Sequence, residues 1–496
     1  FYFGLPLAMI VLCITFVPIF HKLKVYTAYE FLEKRFDIKT RVLTASLFLI
    51  QRGISTGITI FAPAIILSTI LNIDLVMTTI GIGTLVVIYT VYGGTKAVSY
   101  TQLLQMSIIF AGLLLAGVLV VHLLPVDIGF KEALHIAGKS GKANAIDFKF
   151  DLDNQYTVWT GLIGGFFLQL SYFGTDQSQV GRYLTGSSVK ESRLGLLMNG
   201  LLKVPMQFCI LLIGILVFAY YQYHTPPLFF NEQVIEKLEN SSHKQAYEDI
   251  KQRHEQLSEE KTVYINQLTD ALKEKQDDKI DDARINLQQF NEKDKGLRTE
   301  LVDLIKKNDP NADTNDTNYV FLRFVTDTFP KGLIGLLIAI IFLASMGATA
   351  SAINSLSSTT VIDIYRRFVK RDANDAHYLK ASRISTLFWG IFTIGIALYS
   401  SQLGNLLEAV NILGSLFYGT ILGIFLVAFY IKRIGGKAVF WSAVITEVIV
   451  IGIWQLNVVA FLWLNLIGCV LLILIGLILQ YFLGGTPKKD IEPAQV

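Results

Sequence analysis

The stretch Thr157 to Leu184, TVWTGLIGGFFLQLSYFGTDQSQVGRYL, opens as a membrane span and closes as something else. Thr157 to Leu170 is apolar and loosened by Gly161, Gly164 and Gly165. Then Gln169, Ser171, Tyr172, Thr175, Asp176, Gln177, Ser178 and Gln179 crowd polar groups into its far end, where Gly174 and Gly181 ease bending of the backbone. Lipid satisfies neither backbone nor polar side chains, so a polar, glycine-broken half of a membrane helix is expected to line a cavity. The alternative is a helix that stops near Tyr172 and gives way to a cytoplasmic loop.

The rest of the chain fits a polytopic membrane protein. Hydrophobic residues make up 52% and charged residues 17%, with mean hydropathy +0.48, whereas a soluble chain carries about a quarter charged. Cys13, Cys209 and Cys469 all fall in apolar runs, so neither a disulfide framework nor a thiolate metal site is indicated. Nothing in the charge pattern addresses nucleic acid. Runs of about 20 apolar residues, enough to cross a bilayer, occur at 2–20, 43–71, 76–94, 103–124, 157–175, 194–218, 332–353, 384–402, 405–430, 438–455 and 458–482. These make about eleven spans. One set of short loops (21–42, 95–102, 176–193, 354–383, 431–437 and the tail) holds 21 Lys and Arg against four in the other set, all within 125–155. The positive-inside rule puts the first set, and the carboxyl tail with Lys488 and Lys489, in the cytoplasm. No methionine opens the chain and Phe1 already lies in an apolar run, so the amino terminus is expected to be missing.

Asn231 to Asp309 interrupts the spans with 19 acids against 14 bases, few aromatics and apolar residues three or four apart, as at Val234 and Leu238 or Leu297, Leu301 and Leu304. This predicts a solvent-exposed helical hairpin packed on itself, on the extracytoplasmic side by parity. It is either a docking arm for a partner or a second subunit, or a tolerated insertion in a surface loop. Asn311 to Asn318 reads as the linker back to the membrane.

Ionisable groups inside spans are expensive and mark functional candidates. Lys203 lies well inside the sixth span, just before Pro205, and Arg52 lies with Gln51 deep in the second. Snorkelling toward the cytoplasmic face is the bland reading of both. Gln207, Glu408, Asn411 and Glu447 are weaker candidates, because a polar group can be satisfied across a helix interface. The seventh span turns from bulky at Leu333 to Leu343 to small and hydroxylic at Ala344 to Thr360. Such a composition suits close packing, and its hydroxyls and freed carbonyls suit a cation.

Several motifs then carry a resemblance: FVPIFHKLKVYTAYEFLEKRF (16–36), IFAPAIIL (60–67), YTVYGGTKAV (89–98), SYFGTDQSQVGRYL (171–184), LLKVP (201–205) and ATASAINSLSSTTVIDIY (348–365). In this order and spacing the chain resembles the sodium:solute symporter family, whose members carry sugars, inositol, proline, sialic acid, monocarboxylates, vitamins and iodide. The resemblance implies an all-α, leucine-transporter-like fold in which two inverted five-helix repeats enclose a midplane site. Residues 1–220 would hold most of the first repeat and the start of the second, and 332–430 would complete the second. Residues 221–331 would form the extracytoplasmic insertion, 431–484 two peripheral helices and 485–496 a cytoplasmic tail. The first span would match the second helix of the first repeat, so the first core helix, which supplies part of the solute and sodium sites, is absent.

Matched to sugar-transporting relatives, solute-binding positions fall at Tyr2, Gln169, Tyr172, Lys203 and Asn411, with Tyr172 resembling the inner gate and Asp176 in the adjoining GTDQ segment. Tyr2 replaces an acidic sugar ligand, which argues against glucose or galactose as such. GTDQ looks closer to the vitamin, monocarboxylate and iodide branch, where an organic anion would be held by Lys203. The family's sodium site would involve the Ala344 carbonyl and two hydroxyl positions, which here are Gly347 and Ala348. A path aspartate falls at Gln102. Missing hydroxyls must be replaced by water, carbonyls, or Ser345, Thr349 or Ser351 in a shifted register. The expectation is a sodium-coupled importer of a sugar or organic anion in the lipid bilayer of a bacterial inner membrane, with proton-coupled or facilitative transport as alternatives. A membrane sensor is the alternative of another class, but the chain shows no signalling module after residue 482.

Overall fold

The computed structural model describes the chain except residues 1, 24–25, 72, 126–127, 143–145, 185, 187, 275, 311, 401–402, 404 and 484–496. For 93–104, 277 and 284 it describes the backbone alone. The described elements are helices, apart from one isolated bridge between Asp147 and Thr157. In chain order they begin α1 Leu5–Ile14, α2 Phe16–Leu23, α3 Glu30–Arg35, α4 Ile38–Leu71, α5 Leu75–His122 and α6 Phe130–Lys139. A π-turn at Thr160–Gly164 leads into α7 Gly165–Thr175, followed by α8 Gln177–Leu184 and α9 Val189–Tyr223. Then come α10 Glu232–Glu239, α11 Lys244–Glu274, α12 Asp277–Asn308, α13 Val320–Thr328 and α14 Lys331–Thr359. A second π-turn, Thr360–Tyr365, joins α15 Arg366–Phe368, and α16 Asp375–Tyr399, α17 Leu406–Tyr430, α18 Gly436–Gln455 and α19 Trp463–Leu483 complete the chain.

Local chemistry starts these helices where it should. The Asp74 carboxylate accepts from the Val76 and Met77 amides at the head of α5, Ser188 from Glu191 on α9, Asn374 from His377 on α16, and Asn405 from Leu407 and Glu408 on α17. Each such cap is worth about 1 kcal/mol.

Two expectations change. Ten helical segments among the described residues, two of them within α5, are long and apolar enough to cross a membrane. The eleventh, expected at 157–175, is helical only over 160–175, because the chain breaks at Asp176 and restarts as α8. The helix therefore runs past Tyr172, and beyond the break lies a second helix rather than a loop. The turn expected at 95–102 is also not a break, since helical backbone runs through 48 residues from Leu75 to His122. Gly93 and Gly94 are the only helix breakers near it, and glycine lowers helix stability by about 1 kcal/mol without preventing it as proline would. The two apolar windows of α5, 75–92 and 105–122, feed different cores. Ile82, Val86 and Val87 join the main one, and Ala116 and Val120 join another with α9 and α13.

α17 is the most enclosed of the long apolar helices. Gly419 allows its contact with α19, since a Cβ there would lie 2.7 Å from the Asn465 carbonyl oxygen. Phe429 gathers Phe16, Phe20, Phe31 and Phe425 at centroid distances of 5.0–5.9 Å, fastening α17 to α2 and α3. The pairs with Phe16 and Phe20 are edge-on, and such pairs add about 0.5–1.5 kcal/mol each beyond area burial.

α11 and α12 pair as a hairpin about 46 Å long at 1.5 Å per residue. Leu238, Tyr247, Ile250, Leu301 and Ile305 form its base core, and Ile265, Leu268, Ile280 and Leu287 form its outer one. It packs on itself as expected, but it also docks on the bundle. Tyr223 and Thr269 share a 2.7 Å hydrogen bond, and the Gln233 amide on α10 donates to the Ser68 and Ile73 carbonyls at 2.8 and 3.0 Å.

His254 fastens the hairpin to the chain leaving α9. Its Nδ1 lies 2.9 Å from the Asp294 carboxylate and its Nε2 lies 3.0 Å from the Pro226 carbonyl oxygen. Both partners are acceptors, so only the doubly protonated ring satisfies both. Burial works against that charge, but Asp294 and the Pro226 carbonyl outweigh it and raise the His254 pKa, although Arg298 opposes them. Burial likewise works against the Asp294 carboxylate, yet His254, Lys261 and Arg298 hold it below the usual range. A raised histidine pKa gives stability that is complete below the unfolded value of about 6.5 and lost as pH climbs through the folded one. The depressed aspartate adds stability that is lost only as pH falls through its own lowered value. Amide exchange around 226–230 and 290–298 is therefore expected to quicken at alkaline pH in the wild type and to be fast and pH-flat, after correction for intrinsic exchange, in His254→Ala. A wild-type profile as flat as the variant's would refute the clamp.

Candidate functional site

The break after α7 builds the site. Asp176 leaves the helix with φ −75° and ψ 118°, which frees its carboxylate from the helix face. One oxygen accepts from the Ser178 amide at 2.8 Å and the Ser178 hydroxyl at 2.6 Å, starting α8. The other accepts from the Tyr418 hydroxyl of α17 at 2.8 Å. Ser171 donates to the Tyr418 carbonyl at 2.7 Å, so α7 grips Tyr418 by both its backbone and its side chain. Asp176 is 1% exposed and Tyr418 4%.

Tyr172 is only half-buried, and its hydroxyl accepts from the Gln179 amide at 2.8 Å. The Arg52 guanidinium of α4 lies 5.9 Å from the Tyr172 ring centroid, close to Asp176 and Tyr418, and its Nε has no hydrogen-bond partner. Arg182 of α8 brings a second positive charge near Tyr172, Asp176 and Arg52. On the far side, the Lys203 ammonium of α9 sits 4.8 Å from the Tyr2 ring centroid, and Tyr2 itself neighbours Tyr172.

Of the solute-binding positions read from the sequence, the structure brings together Tyr2, Tyr172, Asp176 and Lys203. Gln169 is buried on α7 three residues before Tyr172 and so on the same helix face. Asn411 is half-buried on α17, and its amide donates to the Leu407 carbonyl of its own helix at 2.8 Å. Sequence reasoning missed Tyr418 and Arg182 and left Arg52 between function and snorkelling. An intramembrane arginine was a signal for the last, and the SYFGTDQSQVGRYL motif contained Arg182, but nothing marked Tyr418 among the aromatics of α17.

A second polar cluster closes one end of the bundle. Arg41, fully buried at the start of α4, pairs with Asp363 at 2.5 Å and with Glu33 at 2.5 Å, and Thr27 donates to Asp363 at 2.8 Å. Gln177 accepts from the Ala28 amide at 2.9 Å, and the Tyr29 hydroxyl donates to the Thr175 carbonyl at 3.1 Å. The break at Asp176 is thus tied to the 26–29 loop, and that loop is tied to the π-turn that follows α14.

On α14, Gly347 and Thr349 are buried while Ala344 and Ala348 are half-buried. Gly347 and Ala348 offer no side-chain oxygen. The Thr349 hydroxyl is enclosed and has no hydrogen-bond partner, whereas Ser345 makes a long 3.5 Å contact to the Thr59 carbonyl oxygen. The side chain of Gln102 lies outside the described residues. An unpaired buried hydroxyl costs about 1–3 kcal/mol and is relieved by a ligand.

The pattern of the sodium:solute symporter family matches residues 1–246 and 307–446, more than three quarters of the chain. The chain belongs to that family. The internal gap in that match, 247–306, takes in nearly all of α11 and α12, and residues 447–496 also lie outside it. The sodium-dependent multivitamin transporter of Oryctolagus cuniculus is 26% identical over 414 residues, 83% of this chain and 51% of that protein. The human sodium/iodide cotransporter is 33% identical over 224 residues, 44% of this chain and 33% of that protein. The chain thus spans about half or less of the length of these two relatives. A solved structure of the substrate-bound, outward-open state of a Na+-coupled sialic acid symporter superposes with a TM-score of 0.71, covering 99% of this chain and 84% of that one at 21% identity, and so shares the fold.

Proposed function

We propose that the chain is the transport core of a sodium-coupled importer of a small organic anion, working by alternating access around Tyr172. The observation that carries this reading is the charge balance. Arg52 and Lys203 flank Tyr172 and Tyr2, and the carboxylate beside them, Asp176, already accepts three hydrogen bonds. Two half-buried cations beside one committed carboxylate favour an anionic solute, because a solute carboxylate can accept charge-assisted hydrogen bonds from both. Iodide and sialic acid in the names of similar proteins support an anion over a neutral sugar.

The Lys and Arg bias supports a cytoplasmic carboxyl tail, an extracytoplasmic hairpin and a cytoplasmic position for the Arg41–Asp363 cluster, which would seal the inner end while the solute binds from outside. A bacterial inner membrane is the proposed location. The hairpin, absent from the family pattern, is proposed as a tolerated insertion, with self-association through 231–309 as the alternative. Counterflow in proteoliposomes tests the transport reading. Labelled short organic acids should exchange with trapped unlabelled acid and neutral sugars should not, and exchange of sugars alone would refute the anion assignment.

Sodium would be held in a shifted register on α14, with the Ala344 carbonyl and the Thr349 hydroxyl as ligands in place of Gly347 and Ala348. Thr349→Val keeps the shape and removes the oxygen. It is expected to raise the half-saturating sodium concentration about tenfold, the equivalent of ~1.4 kcal/mol, while Thr349→Ser stays near wild type. Equal sodium dependence in wild type and Thr349→Val would exclude the shifted site.

A further inference from the structure

Glu447 stands apart from everything above. It lies near the middle of α18, between Ala443 and Val450 on the buried face that meets α17 and α19, and it is 8% exposed. Both carboxyl oxygens are enclosed without a hydrogen-bond partner, and so are the hydroxyls of Thr446 beside it and of Thr420 on α17. Thr420 is the polar group that faces the carboxyl. Among the described residues, no charged side chain answers it from the packed helices. α19 has no Asp, Glu, Lys or Arg, and α17 has none beyond Glu408 in its first turn. On α4, Lys39 is exposed, Arg41 is committed to Asp363 and Glu33, and Arg52 lies at Tyr172, while Lys437 is exposed in the first turn of α18.

An isolated carboxylate inside an apolar helix interface is too costly to persist and must be neutralised by a proton or a cation. The surroundings favour the proton. A sodium ion seeks several hard oxygens, but among the described side chains of α17, α18 and α19 the buried unpaired oxygens are only the carboxyl, the hydroxyls of Thr420 and Thr446, and Asn465 Oδ1, whose amide nitrogen is held toward Ser415 and Leu462. A carboxylic acid, by contrast, needs one acceptor for its O–H, and the unpaired Thr420 oxygen supplies it.

We propose that Glu447 is a proton-binding site on the side of α17 away from the solute cluster, with Thr420 accepting from the protonated acid. Thr420 and Tyr418 lie two residues apart and so on nearly opposite faces of α17. One helix therefore carries the proton site on one side and the grip on Asp176 on the other. When water enters the α17–α18 interface the acid gives its proton to that water and becomes a carboxylate, and when the interface closes it takes a proton back. Resting on the transport reading, this makes uptake pH-sensitive through α17.

Two measurements on the full-length purified protein test it separately from transport. In infrared difference spectra between alkaline and acidic pH, the wild type should show the carbonyl stretch of a buried carboxylic acid growing with protonation. Glu447→Gln, which keeps the shape, should lose that band. Thr420→Val should shift its frequency, because the acceptor is gone. A band that persists in Glu447→Gln, no titrating band in the wild type, an unshifted band in Thr420→Val, or a sodium-induced loss of the band at constant pH would each overturn the assignment. In proteoliposomes, the pH dependence of uptake should flatten in Glu447→Gln, and an unchanged profile would overturn the coupling. No uptake by either protein would instead remove the transport reading while the infrared result stands.

Discussion

Lys203→Ala is expected to reduce uptake about thirtyfold or more while leaving membrane insertion and expression near wild type. The ammonium sits over the Tyr2 ring beside Tyr172, in a half-buried position on α9. A charge-assisted hydrogen bond from this position to a solute carboxylate is worth about 1.5–3 kcal/mol, which sets the size of the loss. Snorkelling would put the charge in the headgroups instead, and alanine would then be tolerated. Lys203→Arg keeps the charge and should recover part of the rate. Initial rates normalised to surface expression decide the matter: transport at the wild-type rate in Lys203→Ala would mean that Lys203 holds no solute.

Arg52→Gln is expected to damage both transport and stability. Asp176 is buried and its hydrogen bonds come from neutral groups, Ser178 and Tyr418, so Arg52 supplies positive charge near it. Removing one partner of a buried charge pair costs about 3–5 kcal/mol. Arg52 and Asp176 are not in direct ion-pair contact, so a loss toward the lower end is expected, seen as a lower thermal midpoint in detergent. Arg52→Gln with Asp176→Asn should regain most of that stability, because no lone charge remains, yet still fail to transport. The two single changes and the double change form a cycle that isolates their coupling. Additive stability losses would show that the two charges do not sense each other, and transport restored in the double variant would show that Arg52 serves only to balance Asp176.

Much of the architecture was legible along the chain because hydropathy and cap chemistry are local. A run of about 20 apolar residues must be helical in lipid whatever surrounds it, and Asp74, Ser188, Asn374 and Asn405 cap helices through their own neighbours in sequence. The weakening of the fifth span at Tyr172 to Gln179 was visible for the same reason, as were Lys203 and the hydroxylic half of α14. Where local rules left a margin, as with the glycine pair in α5, the sequence suggested a turn and the backbone kept its helix.

The partners of these groups were not legible. Tyr418 meets Asp176 across 242 residues, Asp363 meets Arg41 across 322 and Gln177 meets Ala28 across 149. Nothing near Tyr418 in the sequence distinguishes it from a lipid-facing or core tyrosine, and nothing near Asn411 shows that its amide turns back to the Leu407 carbonyl. Along the chain, the sequence determined which segments are helices, which faces are apolar and which residues are costly to bury. Which buried charge or hydroxyl answers which other one was decided only when α4, α7, α14 and α17 packed together, because an ion pair or a hydrogen bond depends on distances of a few ångströms that no local pattern encodes.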